Sequence, residues 1–254
     1  MLNKILLIIW FALRPKYYQH FFSLIKRKFL HNHDTFLNSK KAYEWAEENA
    51  ISYTEALEKL DLKGEVFGLD NDTIIEGRKL EAKSSVKMGG SGHIHLLYDC
   101  VRLLKAQNVI ETGVAYGWSS LAILKALSQN GGGTLYSVDM PYPRKNNEND
   151  VGIVVPQNLR KNWVLIRKPD KPGIIIALSK ADGQIDLCHY DSDKSWWGRD
   201  YAFPILWNSL NHKGLFISDD IQDNLYFSEF VKKKFLKFAV VEFQGKFIGL
   251  IRKL

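Results

Sequence analysis

The spacing of apolar residues changes character near residue 93. Downstream, "HIHLLYDCVRLLKAQ" repeats apolar positions at three- and four-residue intervals and predicts a helix, while "NVIET" is an apolar run of strand length. "GVAYGWSS" reads as a glycine turn opening into the helix "LAILKALSQ". Four more runs, "TLYSVD", "NWVLIRK", "IDLCHYD" and "GLFISDD", predict strands, with "GIIIALSKA" and "DYAFPILWNSL" as crossover helices. "FLKFAVVEF" and "KFIGLIRKL", joined by Gln244-Gly245, predict a closing antiparallel hairpin. Strands alternating with helices imply a three-layer α/β architecture around a parallel sheet.

Upstream the pattern is different. Residues 36–62 predict two short helices, one capped by Ser39 and one opened by a capping box of Ser52 and Glu55. The stretch "DNDTIIEGRKLEAKSSVKMGGSGH" reads as irregular, with Gly89, Gly90 and Gly92 marking a flexible loop. Residues 5–13, "ILLIIWFAL", fall short of the ~20 residues that span a bilayer, and no small-residue cleavage site follows them. The expected division is residues 1–33 as a basic aromatic helix, 34–84 as a helical appendage, and 85–254 as the α/β domain.

Charge refines this picture. Six Lys or Arg residues precede Asp34 and no acidic residue does, so most of the net charge of +7 belongs to that first segment. A nucleic-acid surface spread over the whole fold is therefore not expected. Basic residues interleaved with Trp, Tyr and Phe suit peripheral contact with a membrane surface; packing on the main domain or on a second copy in a homo-oligomer is the alternative. Two cysteines, Cys100 and Cys188, without CxxC spacing, fit buried residues in a reduced, cytoplasmic protein.

The candidate chemistry sits at the carboxyl ends of the predicted strands, where open α/β sheets bind ligands. Gly113 and Gly117 lie where the first strand turns into a helix, with backbone N–H groups free to meet a ligand. Asp139 ends the second strand and suits a ribose diol. Asp191 ends the fourth, with Lys194 three residues on, and Asp219 and Asp220 end the fifth. Like charges about 4 Å apart repel by about 4 kcal/mol per pair at an effective dielectric near 20, so these carboxylates need a cation, a proton or lysines. Hard oxygen ligands in this number suit Mg²⁺ or a similar divalent ion. Asp193 reads as a cap for a helix starting near Ser195 or as metal support, Trp196 and Trp197 as packing or as an acceptor wall, and His189 as a buried structural histidine.

"VIETGVAYGWSS", with an acid ending the next strand, resembles the class I S-adenosylmethionine-dependent methyltransferases over roughly residues 85–254. That resemblance implies a Rossmann-like methyltransferase sheet with a C-terminal antiparallel hairpin and an N-terminal helical appendage. It implies S-adenosylmethionine as cofactor, with Gly113, Ala115 and Gly117 along its methionine and ribose portion, Ser119 at its carboxylate, Asp139 at the ribose, and Glu111 ordering the loop or meeting the amino group. A dinucleotide-dependent dehydrogenase is the runner-up, but lacks the closer glycine pair of a pyrophosphate cradle.

The spacing "DSDK" followed by "ISDD" resembles the metal-dependent O-methyltransferases of the catechol type and the branch holding macrolide-sugar O-methyltransferases and cephalosporin-hydroxylase-like proteins. By that resemblance Asp191, Asp219 and Asp220 bind Mg²⁺, Lys194 is the general base, and Met88 belongs to a glycine loop folding over the cofactor. The expected reaction is O-methylation of an acceptor with neighbouring hydroxyls, a sugar first and a catechol-like phenol second. A metal-independent methyltransferase and a non-catalytic membrane-docking module are the rivals. Beside a divalent ion, the ammonium form of Lys194 is disfavoured and its pKa is expected to fall.

Overall fold

The computed structural model describes residues 2–145 and 147–254, with side chains from Ile5 onward. Strands β1 (Ala50–Ile51), β2 (Asn108–Thr112), β3 (Thr134–Val138), β4 (Trp163–Ile166), β5 (Ile185–Tyr190), β6 (Leu210–Ser218), β7 (Phe238–Phe243) and β8 (Lys246–Arg252) join one sheet in the order β1-β7-β8-β6-β5-β2-β3-β4. β8 runs antiparallel to β6 and β7, and every other pairing is parallel. The hairpin turn at Gln244-Gly245 has positive φ at both residues, the conformation a tight two-residue turn demands.

Central strands of a parallel sheet are covered on both faces and so are apolar almost throughout. Two cores follow, one on each face. α6 (Ile94–Leu104) and α7 (Trp118–Gln129) bury Leu96, Val101, Leu121 and Leu124 on one side. α8 (Asp170–Lys180), α9 (Trp196–Ser209) and α10 (Tyr226–Lys233) bury Ile174, Phe203, Leu206 and Phe230 on the other. The three layers, the strand assignments and the terminal hairpin match the sequence expectation.

The first third departs from it in detail. The helix expected after Ser39 starts earlier: α3 (Phe36–Asn49) is capped by Thr35, whose hydroxyl accepts from the Asn38 N–H. Ser39 lies within its first turn. The capping box of Ser52 and Glu55 is present and opens α4 (Tyr53–Lys59). The stretch read as irregular holds α5 (Asn71–Glu81), capped by Asp70 on the Thr73 N–H, because an N-cap aspartate can start a helix whose apolar stripe is thin. Between α3 and α4, the two residues of β1 cover the β7 edge. Ala46, Ala56, Leu57, Leu60 and Leu62 enter the two main cores, so residues 34–84 pack as part of the α/β body.

Residues ahead of α3 form a helical hairpin, α1 (Leu2–Ala12) and α2 (Tyr18–Arg27). It has a small core of its own, Trp10, Phe11 and Tyr17, with Phe11 stacked on Phe21 and Met140 packed against the cluster. No helix of the described residues is long and apolar enough to cross a membrane. Cys100 and Cys188 are both buried and unpaired.

Candidate active site

A cavity of about 580 Å³ opens at the carboxyl ends of the strands, within the range of small-ligand sites. Of the residues singled out in the sequence, Met88, Gly113, Ala115, Ser119, Asp139, Asp191, Lys194, Asp219 and Asp220 line it. Glu111 and Gly117 do not line it.

The glycine turn needs its glycines. Gly113 and Gly117 have φ of +83° and +90°. A Cβ on Gly113 would stand 2.3 Å from the Asp191 carbonyl oxygen, and one on Gly117 would stand 2.8 Å from the Gly152 Cα. Gly117 also begins α7, whose N-terminus carries no side-chain cap and presents Ser119 to the cavity. Such an end favours an anionic group. Tyr116, in the same turn, donates to the Val86 carbonyl at 2.8 Å and accepts from the Met88 N–H at 3.2 Å. The loop carrying Met88 and Gly89 is thereby tied down on the glycine turn.

Asp139 accepts from the Val114 N–H at 3.0 Å and pairs with Arg167. Burial raises its carboxyl above the usual range, against the pull of these donors. Glu111 is fully buried, accepting hydroxyls from Ser120 at 2.5 Å and Ser137 at 2.7 Å, which places it under the loop as an ordering group.

At the other end, Asp191 and Asp220 converge on Lys194. Its Nζ stands 2.9 Å from Asp191 Oδ1 and contacts Asp220, which also pairs with Lys246 at 3.0 Å. Burial alone would lower the Lys194 pKa, but Asp191 and Asp220 outweigh it and the net shift is upward. Asp191 is pushed up to about 6 by burial and by Asp219, and Asp220 is held low by Lys194 and Lys246 despite its burial.

Asp219 faces His189 instead, with Nε2 at 3.5 Å, and the other face of that imidazole looks to Glu111 at 3.8 Å. Burial favours neutral imidazole, yet the Asp219 and Glu111 carboxylates on either side hold its pKa up at about 10. Among the described residues, no group of three His, Cys, Asp or Glu side chains stands close enough to hold a metal ion.

Several further groups support the site, and Arg199 among them carries no local sequence signal. Arg199, fully buried, donates to the carbonyls of Asp219 at 3.2 Å and Asp220 at 2.7 Å, fixing a turn in which Asp220 has φ of +51°. Asp170 lines the cavity, accepts the Ser192 hydroxyl at 2.6 Å, and is raised to about 6 by burial. An aspartate at a helix start just beyond the third core strand was the available clue. Asp193 takes Arg27 at 2.6 Å and the Ser195 hydroxyl at 2.6 Å, while Ser195 itself caps α9, so Asp193 braces the cap. Trp196 stacks on His33 at 3.9 Å and Trp197 donates to the His31 carbonyl, which makes both tryptophans packing against the N-terminal segment.

His93, also lining the cavity, caps α6 and stacks on Phe243 at 4.4 Å. Burial, with His95 adding to it, lowers its pKa from 6.5 to about 4. A depressed folded-state pKa means that the stability tied to neutral His93 is complete above pH 6.5 and is lost as pH falls towards 4, by at most about 3 kcal/mol. His93→Asn keeps a cap and removes the titration. Thermal melts between pH 7 and 4 should therefore fall less steeply for the variant than for the parent, and parallel curves would refute the assignment.

Residues 110–221 match the family model described as a methyltransferase domain. No curated protein matches the chain. Among solved structures, the O-methyltransferase from Bacillus cereus in complex with SAH superposes with a TM-score of 0.54 at 16% identity, covering 82% of this chain and all of that one. An O-methyltransferase from Streptomyces achromogenes involved in tomaymycin synthesis, in complex with SAM, gives 0.54 at 14% identity over 74% of this chain and 93% of the other. SAH-bound Podospora anserina methyltransferase gives 0.52 at 13%, covering 87% and 97%. The chain thus has the Rossmann-like fold of these methyltransferase structures, and residues 110–221 within it match a methyltransferase domain.

Proposed function

We propose that the protein transfers a methyl group from S-adenosylmethionine to a hydroxyl of an acceptor bearing neighbouring hydroxyls, a sugar of a glycan or secondary metabolite first and a catechol-like phenol second. The observation that carries this reading is one cavity shared by two half-sites. The glycine turn, the open end of α7 and Asp139 form a nucleoside-binding half, and Asp191, Lys194, Asp219 and Asp220 form a charged half beside it. The sulfonium is already activated, so holding acceptor oxygen and methyl carbon in line supplies most of the catalysis.

In the nucleoside half, Asp139 takes the ribose hydroxyls, kept in place by Val114 and Arg167. Ser119 and the first turn of α7 receive the methionine carboxylate, and Met88 with its loop shields the methyl from water.

In the charged half, Lys194 is the group nearest the acceptor oxygen. Held between Asp191 and Asp220 it is an ammonium, able to donate a hydrogen bond and to stabilise an oxyanion. It becomes a base only when another cation takes over those carboxylates. The donor set Asp191, Asp219 and Asp220, all hard oxygens at neighbouring strand ends, suits Mg²⁺ in that part, although the side chains are gathered on Lys194 and His189 as described. Such an ion would supply Lewis acidity that lowers the acceptor hydroxyl's pKa. The metal and base assignments thus stand or fall together.

Calorimetric titration with S-adenosylmethionine should show binding that Asp139→Ala weakens at least tenfold with the melting temperature of the fold retained. Absence of binding by the parent chain would overturn the reading. A methyl-transfer screen of sugars and catechols, run with Mg²⁺ and with EDTA, tests the rest: activity that survives EDTA and Asp219→Ala removes the metal.

A further inference from the structure

We propose that the α1–α2 hairpin is a docking face for an anionic lipid surface, and that it holds the catalytic cavity one helix thickness from that surface. The hairpin's inner side is satisfied by its own aromatic core and Met140. Its outer side is not. Ile5, Ile8 and Ile9 on α1 and Leu13 just past its end are 46 to 72% exposed and recur at spacings of three and four, an apolar stripe. Phe22 at 62% and Phe29 at 85% extend it along the second helix and past its end.

Charge identifies the occupant. No acidic residue precedes Asp34, and Lys16, Lys26 and Lys28 are exposed around the apolar stripe. A second copy seated on this face by a two-fold axis would set the same cations against themselves. An anionic bilayer instead accepts the apolar stripe among its acyl chains and the ammonium groups at its headgroups. α1, at 11 residues, rises only about 16 Å, about half the ~30 Å hydrocarbon core, so it lies in the interface and does not span it.

The same hairpin walls the cavity. His20 and Arg27 line it, Arg27 is clamped to Asp193, and Asp34 accepts from the Trp196 N–H and from the Asn224 side chain, which also donates to the Lys194 carbonyl. Docking would therefore bring the charged half-site to the lipid boundary without opening the fold.

Sedimentation of the full chain with vesicles tests this independently of methyl transfer. Vesicles of phosphatidylcholine and phosphatidylglycerol (about 3:1) should bind it, with at least tenfold loss for phosphatidylcholine alone or at about 0.5 M NaCl. I8D/L13D should lose binding at least tenfold, and K26E/K28E at least about twentyfold, taking each basic residue as worth about fivefold. Both should keep the parent's melting temperature and its affinity for S-adenosylmethionine. Absence of binding to the anionic vesicles, equal binding to neutral ones, or unchanged binding by K26E/K28E would each overturn the proposal. So would a solution dimer that I8D/L13D dissociates, since a second copy would then cover the face. Failure of the parent chain to bind S-adenosylmethionine would instead strike the methyl-transfer reading and leave the docking result standing.

Discussion

Lys194→Met should lower the turnover number by roughly two to four orders of magnitude, the usual range for a lost proton-transferring or oxyanion-stabilising group. Affinity for S-adenosylmethionine should stay within about threefold, because Lys194 belongs to the charged half of the cavity and Asp139 with the glycine turn to the other. Methionine keeps most of the length of the stem and removes only the ammonium. Lys194→Arg is not a rescue: a planar fork cannot sit between Asp191 and Asp220 as a compact ammonium does. Steady-state kinetics with an acceptor from the screen decides the matter, and a variant retaining more than about a tenth of parental turnover removes Lys194 from the chemistry. Asp220 keeps Lys246 as a partner in the variant, whereas Asp191 loses its near cation, so some loss of stability at neutral pH should accompany the loss of activity.

Gly113→Ala should be the most damaging small substitution in the nucleoside half. The new methyl would meet backbone, not a yielding side chain: the carbonyl oxygen of Asp191 at 2.3 Å and its carbon at 2.8 Å, at a φ of +83° that alanine rarely adopts. Strain and displacement together should cost roughly 2–4 kcal/mol of stability. Because the clash pushes apart the ends of β2 and β5, affinity for S-adenosylmethionine should fall at least tenfold as well. Gly90→Ala is the matched control, since a Cβ there has nothing within 4 Å and its φ is ordinary. Melting and calorimetry on the pair measure both effects; equal behaviour of the two variants would show that the turn tolerates a side chain.

How much of this was legible beforehand depended on the range of the interactions. Apolar runs such as "NVIET" and "IDLCHYD" are local and unambiguous, so the strands and their order of chemistry could be read directly. The carboxylates at strand ends could also be placed together, because parallel topology puts all such ends on one side. The long-range contacts that brace the site could not. Arg27 reaches Asp193 across 166 positions and Asp34 reaches Asn224 across 190, and separations of that size leave no periodicity to detect. Arg199 is a further case: it carries no sequence signal of its role, yet it is fully buried and donates to two carbonyls. Reading "SDD" as a place for a metal was sound electrostatics, since the acids do require a positive charge. What sequence could not decide was that a lysine three residues from Asp191 reaches back to provide one. The missed α5 has another cause, a weak apolar stripe rescued by a strong cap at Asp70.

Asp219, His189, Glu111, Ser137 and Trp163 come from five successive positions across the sheet: one after β6, then one each from β5, β2, β3 and β4. Glu111 stands opposite both His189 and Ser137 in register, and the Trp163 indole donates to the Ser137 hydroxyl at 2.7 Å. Hydrogen bonds join only part of this transverse row, Trp163 to Ser137 and Ser137 to Glu111, while His189 sits between Glu111 and Asp219 at 3.8 and 3.5 Å. Replacing Ser137 by alanine would therefore leave both the Glu111 carboxylate and the Trp163 indole one partner short in a single step.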